Sequence, residues 1–314
     1  MHKIILDTDP GIDDAFTLNL AIKHPEIDLV GITTVFGNVH VETATENALH
    51  LSEFFGNSNI PVAEGASKPY KRDSHLVADF VHGSDGLGNT QGLVNKSVNN
   101  KKINLSAPEF IVKTILENPH EITICAIAPL TNLAKALDLE PKISKLVKQV
   151  VIMGGAVFTN GNVTPVSEAN IYNDPEAADK VFCAGWPITL VGLDITLKVI
   201  LGEDFLERIK NKNKSGEYLY NVSKFYKEFY DSRDNYGGFP AHDPTALVYI
   251  TNPELFKCTI GPIRVATSGI TEGMTIISRH NKYGMENAWT NIAPTNVCVD
   301  VDAKKLIKII EDNM

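Results

Sequence analysis

Four aspartates stand close together near the start of the chain. Asp7, Asp9, Asp13 and Asp14 follow a short apolar segment within eight positions. Carboxylates this close repel one another, so a nearby cation is needed to keep them all charged. Because every donor in the cluster is an oxygen, it predicts a hard divalent cation such as Ca²⁺ or Mg²⁺. The simpler alternative is that Asp13 and Asp14 only favour the start of a helix, which leaves the other two unexplained.

Two familiar carboxylate patterns begin in a similar way. An EF-hand loop beginning at Asp7 requires glycine at its sixth position and glutamate at its twelfth. Those positions hold Ile12 and Leu18, so this pattern is excluded. A phosphoaspartyl transferase of the haloacid dehalogenase type begins with Asp-x-Asp after a strand, as Asp7 and Asp9 do, but Gly11 stands where such enzymes usually carry threonine or valine. A Mg²⁺-dependent phosphohydrolase of this kind stays open as the alternative function.

Alternating strand and helix patterns position this cluster. Short runs rich in apolar residues predict strands at Lys3–Asp7, Asp28–Phe36, Ile60–Ala63, Ile122–Ala128, Val147–Met153 and Ile188–Leu193. Helical spacing predicts helices at Asp13–Lys23, Val41–Phe55, 106–116, Leu130–Leu137, 174–184 and 302–312. The alternation predicts an α/β protein with an open, mostly parallel, Rossmann-like sheet and helices on both faces.

Two further segments complete the predicted architecture. Residues 64–104 are rich in glycine, serine and asparagine and predict a long loop, which in a compact domain is more often functional than idle. Residues 203–232 predict polar helices that form an additional cap region. No linker pattern divides the sequence, so a single domain is predicted over residues 1–314. Ligands of open parallel sheets bind at the carboxyl ends of the strands, where the aspartate cluster is expected.

The composition narrows the functional classes. The 314 residues include 29 Lys and Arg against 38 Asp and Glu, a net charge of −9, and 43% are hydrophobic. This balance argues against nucleic-acid and membrane-surface partners, because both require a basic patch. No apolar stretch approaches the roughly 20 residues of a membrane helix, and the four cysteines lack C-x-x-C spacing, which favours reduced thiols. We therefore expect a cytoplasmic enzyme that acts on a small molecule.

A series of short motifs in a fixed order gives a specific resemblance. The motifs are Asp7 to Ala15, Gly37-Asn38, His82-Gly83, Pro129 to Asn132, Met153 to Gly155, Asn162, Glu168 to Asn170, Asp174 to Ala178 and His242 to Pro244. Together they resemble the pattern of the inosine–uridine preferring nucleoside hydrolases. The resemblance implies Ca²⁺-dependent hydrolysis of the N-glycosidic bond of purine or pyrimidine ribonucleosides, which yields ribose and free nucleobase.

The resemblance also implies the metal ligands and the base. Ca²⁺ would be held by the carboxylates of Asp9, Asp14 and Asp243 and by the backbone carbonyl of Ile127. Asp7 would orient these ligands without contacting the metal. Asp9 would lie beside both the metal and the attacking water, so it is the expected general base.

The remaining candidate residues would bind the ribose and the leaving base. The resemblance assigns substrate binding to Asp13, Asn38, His82, Met153, Asn162, Glu168 and Asn170, and Tyr230 is added as a candidate from the aromatic residues at 225–236. His242 is the expected acid for the leaving base, because histidine titrates near neutral pH and this one adjoins a metal ligand. His82 is the alternative acid or a further contact to the base, and Tyr230 is expected to stack on the base.

The sequence alone does not determine the preferred nucleobase, the oligomeric state or the physiological role. The preferred nucleobase is not fixed, because base contacts in this family lie on variable loops. The resemblance implies a homo-oligomer, either a dimer or a tetramer, and a role in nucleoside salvage. A nucleoside-binding protein without catalysis is a third functional class, and the presence of both Asp9 and His242 argues against it.

Overall fold

A nine-stranded sheet forms the centre of the protein. The computed structural model describes residues 1–90, 101–233, 236–279 and 284–314. The strands are β1 (His2–Thr8), β2 (Ile27–Thr34), β3 (Val62–Glu64), β4 (Ile122–Ala126), β5 (Gln149–Met153), β6 (Ile188–Val191), β7 (Ile200–Gly202), β8 (Gly238–Pro240), β9 (Phe256–Val265), β10 (Thr275–Ile277) and β11 (Pro294–Val301). The order in the large sheet is β10-β9-β11-β6-β5-β4-β1-β2-β3, and β7 pairs with β8 separately.

Most of this sheet is parallel. Every neighbouring pair from β11 through β6, β5, β4, β1 and β2 to β3 runs parallel. Only β9 and β10, at one edge, are antiparallel to their neighbours. The predicted open, mostly parallel α/β sheet is therefore confirmed.

Helices cover both faces of the sheet. They are α1 (Ile12–Lys23), α2 (Val41–Phe54), α3 (Asp79–His82), α4 (Ala107–Glu117), α5 (Thr131–Leu139), α6 (Ile143–Leu146), α7 (Ala169–Asn173), α8 (Pro175–Cys183), α9 (Leu193–Thr196), α10 (Glu203–Lys210), α11 (Lys214–Asp231), α12 (His242–Thr251) and α13 (Ala303–Asp312). Side chains of a strand alternate between faces. Ile4 and Leu6 of β1 accordingly join a core with α1, α2 and α11, whereas Ile5 joins a second core with α4, α5 and α8.

The two segments outside the regular alternation also have defined structure. The predicted cap region consists of α10 and α11, and α11 packs toward α1 through a chain of edge-on aromatic contacts from Tyr226 to Phe239 to Phe16. The predicted long loop contains the short helix α3, and its residues 91–100 lie outside the described residues. Within the described parts of the chain, no helix combines the length and apolar character that crossing a bilayer requires.

Several chain segments converge at one edge of the sheet. Strands β1, β2, β4 and β5 lie side by side in parallel, so their carboxyl ends share this edge. The residues that follow these ends include Asp9, Asn38 and Ile127, and Met153 is the last residue of β5. The candidate residues of the sequence analysis are therefore collected where open α/β sheets bind ligands.

Candidate active site

Three aspartates form a compact buried cluster beside the end of β1. Asp13 and Asp14 belong to the first turn of α1, and Asp243 belongs to the first turn of α12. One carboxylate oxygen from each lies within 4.8 Å of the others. All three side chains are buried, with Asp13 the most exposed at 5%. Two helix N-termini thus deliver three carboxylates to one point, which is favourable for negative charge.

Asp9 lies beside this cluster and has an unsatisfied oxygen. Its Oδ2 accepts a hydrogen bond of 2.7 Å from the backbone N–H of Asn38. Its Oδ1 is buried and has no hydrogen-bond partner among the described residues. A Cβ atom at Gly37 would lie 1.8 Å from Asp9 Oδ2, so only glycine permits this approach. A buried carboxylate oxygen requires a partner, and a bound cation can provide one for Asp9 Oδ1.

Hydrogen bonds hold the side chains of Asp14 and Asp7 in place. Asp14 Oδ1 accepts from the Thr8 hydroxyl, and Asp14 Oδ2 accepts from Gly11 N at 2.9 Å and from Asn38 Nδ2 at 3.1 Å. Asp7 lies behind the cluster, where Asn132 Nδ2 donates to its Oδ1 at 2.8 Å. These contacts fix the orientation of the carboxylates before any ligand binds.

Burial makes this concentration of negative charge costly. Burial raises the pKa of Asp7 to about 7 and of Asp13 to about 8, and neighbouring carboxylates add to the increase for Asp13. Burial and neighbouring carboxylates also raise the pKa of Asp9 and of Asp243. Among the described residues, the basic side chain beside this group is His82, whose Nδ1 lies 4.0 Å from Asp13 Oδ1 and whose ring is neutral at pH 7 because burial lowers its pKa to about 3. An oxygen-only donor set without a lysine or arginine partner fits a hard divalent cation.

Asn170 connects the ends of two central strands. Its Nδ2 donates to the carbonyl of Ile127 at 3.0 Å and to the carbonyl of Met153 at 3.2 Å. The Ile127 carbonyl thus accepts a hydrogen bond from Asn170, and a carbonyl oxygen has a second lone pair for another partner.

Glu168 is a buried carboxylate at the start of α7. Its Oε2 accepts from Gly155 N at 2.8 Å and from Ile171 N at 3.2 Å, and its Oε1 accepts from Asn170 N at 2.9 Å. Asn162 supports the same turn, because its Oδ1 accepts from Ala169 N at 3.0 Å. These backbone donors hold the Glu168 carboxylate in one place.

The two candidate histidines have different partners. His82 Nδ1 accepts from the backbone N–H of Ile12 at 3.1 Å, so the neutral ring carries its hydrogen on Nε2. His242 Nδ1 lies 2.8 Å from the Thr196 hydroxyl, and His242 Nε2 lies 2.9 Å from the Tyr230 hydroxyl. Burial lowers the pKa of His82 to about 3, with a further contribution from His242, and lowers the pKa of His242 to about 4. Both rings are therefore neutral at pH 7 in this environment.

These residues surround one cavity of about 420 Å³. The predicted residues that line it are Asp13, Asn38, His82, Ile127, Met153, Asn162, Glu168, Asn170, Tyr230, His242 and Asp243. Asp9 and Asp14 do not line it and are buried, 1% and 0% exposed. The lining of the cavity thus combines these polar groups with aromatic side chains such as Phe80 and Phe229.

Comparison with known proteins connects this geometry to a family. Residues 4–308 match the sequence model of a family described as "Inosine-uridine preferring nucleoside hydrolase". The chain belongs to this family. It is 45% identical to the Probable uridine nucleosidase 2 of Arabidopsis thaliana, covering 99% of this chain and 97% of the relative.

Solved structures of nucleoside hydrolases are similar across the whole fold. A plant nucleoside hydrolase superposes with a TM-score of 0.94 at 41% identity, over 99% of this chain and 98% of that chain. A purine-preferring ribonucleoside hydrolase from Gardnerella vaginalis superposes with a TM-score of 0.91 at 31% identity, over 99% and 97%. The protein is thus a nucleoside hydrolase that acts on the N-glycosidic bond of ribonucleosides, as the sequence analysis predicted.

The cavity of this nucleoside hydrolase disfavours the phosphohydrolase alternative. An Asp-x-Asp phosphatase needs a lysine to bind the transferred phosphate. Among the described residues that line the cavity, the basic side chains are Arg233 and the two histidines, and none is a lysine. A dense group of buried carboxylates would also repel a phosphate monoester more strongly than an uncharged nucleoside.

The structure adds three contacts that the sequence did not indicate, two made by Tyr226 and one made by Thr196. The Tyr226 hydroxyl donates to Asp13 Oδ2 at 3.3 Å, and the Tyr226 ring stacks on His82 with 5.0 Å between centroids. Thr196 contacts His242 from α9. Tyr226 and Tyr230 are four positions apart on α11, a spacing that places both on one helix face. No sequence signal distinguishes Thr196, because its contact depends on the packing of α9 beside α12.

Proposed function

We propose that the nucleoside hydrolase binds Ca²⁺ at the aspartate cluster and cleaves ribonucleosides with Asp9 as general base and His242 assisting the leaving base. The observation that carries the proposal is a buried carboxylate group, two members of which line a cavity with polar and aromatic side chains. A ribose requires polar partners for its hydroxyls, and a nucleobase favours aromatic neighbours, so the cavity offers both.

The metal would be held by Asp9, Asp14 and Asp243 and by the Ile127 carbonyl. The unpartnered Oδ1 of Asp9 and the closeness of Asp14 to Asp243 support this set. When bound, Ca²⁺ would neutralise the carboxylates and lower the pKa of a water molecule beside it. Asp13 belongs to the same cluster, but its Oδ2 already accepts from Tyr226, which supports a role toward substrate instead.

Asp9 would accept a proton from the attacking water. Cleavage at the anomeric carbon of ribose passes through an oxocarbenium-like transition state, so the water must lose its proton as it attacks. Asp9 Oδ1 has no hydrogen-bond partner among the described residues, so it would lie beside both the cation and the attacking water, and its second lone pair would accept that proton.

The ribose hydroxyls would be bound by groups that the fold fixes in advance. The proposed contacts are Asp13, Asn38, Asn162, Glu168 and Asn170, with Met153 beside them. Hydrogen bonds from backbone N–H groups hold Glu168, and Asn170 is anchored to two strand ends. Fixed polar partners of this kind lower the entropic cost of aligning the sugar for attack.

Strong discrimination against 2′-deoxynucleosides is the expected result. Removing the 2′-hydroxyl leaves buried polar groups such as Asp13 without a partner, which a site built for that hydroxyl does not tolerate. We expect kcat/KM for 2′-deoxyuridine to be at least about a hundredfold below that for uridine. 5′-Deoxyuridine serves as the comparison, because it keeps the 2′- and 3′-hydroxyls. Equal values for uridine and 2′-deoxyuridine would contradict the assigned ribose contacts.

The leaving base would receive its proton from the side of His242 and Tyr230. His242 and Tyr230 both line the cavity, and His242 Nε2 is hydrogen-bonded to the Tyr230 hydroxyl, so this neutral pair can pass a proton to the base. His82 would contact the base as an Nε2–H donor, because Ile12 N occupies its Nδ1. This difference in partners supports His242 over His82 as the acid.

Uridine is the proposed substrate among the ribonucleosides. The Arabidopsis relative at 45% identity is named a uridine nucleosidase, whereas the structure at 31% identity is named purine-preferring. A kcat/KM panel of uridine, cytidine, inosine, adenosine and guanosine tests this choice. The cytoplasmic location, the homo-oligomeric assembly and the role in salvage stay predictions, and four free cysteines are compatible with a reducing compartment.

A further inference from the structure

Two cysteines away from the active-site cavity face each other across neighbouring strands. Cys258 of β9 and Cys298 of β11 are direct partners in the antiparallel register, and their Sγ atoms lie 3.4 Å apart. Direct partners in antiparallel strands have Cα atoms about 4.5 to 5.5 Å apart. Disulfides form across Cα distances of about 4.4 to 6.8 Å. The strand pairing therefore places both backbones at disulfide distance already.

The two thiols differ in accessibility and in acidity. Cys258 is exposed, whereas Cys298 is buried. In the described part of the chain, β10 pairs with β9 only at residues 263–265. The part of β9 that carries Cys258 therefore has β11 as its only neighbouring strand among the described residues. The hydrogen bond between the two sulfurs lowers the pKa of the Cys258 thiol and raises that of Cys298. An exposed, more acidic thiol beside a buried partner is the arrangement of a reactive cysteine with a resolving cysteine.

We propose that Cys258 and Cys298 form an oxidation site in which a peroxide produces a reversible intramolecular disulfide. In the first step the Cys258 sulfur attacks hydrogen peroxide, the O–O bond breaks, and a sulfenic acid and one water form. In the second step the Cys298 sulfur attacks the sulfenic sulfur, the S–O bond breaks, and a second water leaves. The two thiols lose two hydrogens in total, and the peroxide is reduced to two waters.

The disulfide should stabilise the fold without changing the rate of uridine hydrolysis. It would close a loop between β9 and β11, which restricts the unfolded chain more than the folded one. We expect oxidation to raise Tm by a few degrees. Neither cysteine lines the cavity, so kcat/KM for uridine should stay within about twofold of the reduced enzyme.

Peroxide treatment followed by intact-mass measurement, peptide mapping and thiol counting tests the site. The native enzyme should lose two hydrogens and two free thiols, with Cys258 and Cys298 joined, and dithiothreitol should reverse the change. Cys298→Ser should stop at a sulfenic acid on Cys258 that dimedone traps, whereas Cys258→Ser should form no cross-link. Cys183→Ser, which alters a half-buried cysteine on α8, should cross-link normally. Four intact thiols after peroxide, or a native enzyme in which Cys258 stays a sulfenic acid while Cys298 stays a free thiol, would overturn the proposal.

A second, independent observation concerns Arg72, which joins three segments around the cavity. Its guanidinium donates to Glu176 through Nε at 2.8 Å and through Nη2 at 3.1 Å, to Glu272 at 2.6 Å, and to the Thr267 carbonyl at 3.1 Å. The Arg72 side chain is 25% exposed, so these pairs are partly shielded from water. Bidentate arginine–carboxylate pairs of this kind fix geometry as well as charge.

Arg72 is connected to the substrate cavity on two sides. The Ser167 hydroxyl donates to the backbone carbonyl of Glu272, and Ser167 directly precedes Glu168. On the other side, Arg72 belongs to the segment that continues to Leu76 and Ala78, which line the cavity. One side chain therefore connects the cavity wall to the turn that carries Glu168.

We infer that Arg72 is a positioning residue for substrate binding, an inference that rests on the proposed ribose contact of Glu168. Loosening this link should weaken substrate binding before it affects the chemical step, because Asp9, Asp14 and Asp243 are held by other contacts. We expect Arg72→Met to raise KM for uridine about tenfold with kcat within about threefold. Arg72→Lys should restore part of the KM, because lysine keeps the charge but not the bidentate geometry.

Arg264 offers a matched control for this experiment. It forms a similar bidentate pair with Asp179 and also donates to a carbonyl, and its side chain is 29% exposed. Arg264→Met should lower Tm with KM unchanged, whereas Arg72→Met should change KM at temperatures well below its Tm. A native KM in Arg72→Met, or an equal rise in both variants, would overturn the inference. Failure of the proposed function itself would appear instead as a native enzyme that does not hydrolyse uridine.

Discussion

Metal-free hydrolase, prepared by exhaustive chelation, should hydrolyse uridine at least about a thousandfold more slowly than the untreated enzyme, and Ca²⁺ should restore the rate. Without a cation, the buried carboxylates of Asp9, Asp13, Asp14 and Asp243 repel one another and take up protons, as their raised pKa values indicate. Protonated aspartates neither position water nor accept its proton. The measurement is kcat/KM with the metal content of each sample determined by elemental analysis.

Matched aspartate variants separate metal binding from a general loss of charge. Asp14→Asn should lose activity to a similar extent, and added Ca²⁺ should no longer raise its Tm, because a ligand stabilises only a fold that binds it. Asp179→Asn alters a half-buried carboxylate that pairs with Arg264, and it should keep both the activity and the Ca²⁺-dependent rise in Tm. Full activity in protein that contains fewer metal ions than active sites would contradict the calcium assignment. If Mg²⁺ but not Ca²⁺ restores hydrolysis, the site is assigned to Mg²⁺ instead of Ca²⁺.

The strand–helix alternation made the sheet and the edge that carries the site predictable. Asp7, Asp9, Asn38 and Met153 were expected at strand ends from their local sequence, and parallel pairing brings those ends to one edge. Local patterns suffice here because a parallel sheet of this kind buries both faces and requires helices between its strands. The antiparallel pairing of β9 and β10 was not predictable in this way, since pairing at the edge of a sheet leaves no distinctive local pattern.

Contacts between distant segments could not be predicted in the same way. Asn170 was expected at the site, but its hydrogen bonds to the Ile127 and Met153 carbonyls depend on the packing of α7 against two strand ends. The contact between Thr196 and His242 likewise requires α9 to lie beside α12. Motifs therefore indicated which residues gather at the site, whereas the partners of each side chain depend on the tertiary structure.

His242→Ala should slow the hydrolysis of uridine about a thousandfold, while it slows p-nitrophenyl riboside less than about tenfold. Uracil is a poor leaving group unless it is protonated, whereas p-nitrophenolate leaves without protonation. His242 Nε2 and the Tyr230 hydroxyl are hydrogen-bonded at the cavity, so losing the ring removes the proposed route for that proton. The measurement is the ratio of kcat/KM for the two substrates in the variant and in the native enzyme.

Two further variants test whether a change in the ratio of kcat/KM for uridine and p-nitrophenyl riboside reports the delivery of a proton to the base. His50→Ala removes another buried histidine, one that packs against Phe54 and Tyr218, and it should leave the ratio unchanged even if it lowers Tm. Tyr230→Phe should lower uridine hydrolysis selectively but less than His242→Ala, since it removes the hydroxyl and keeps the ring. If both substrates slow equally in His242→Ala, the histidine orients the neighbouring Asp243 instead. A selective loss in His82→Ala would assign the proton to that ring, whose Nε2–H is fixed by Ile12 N.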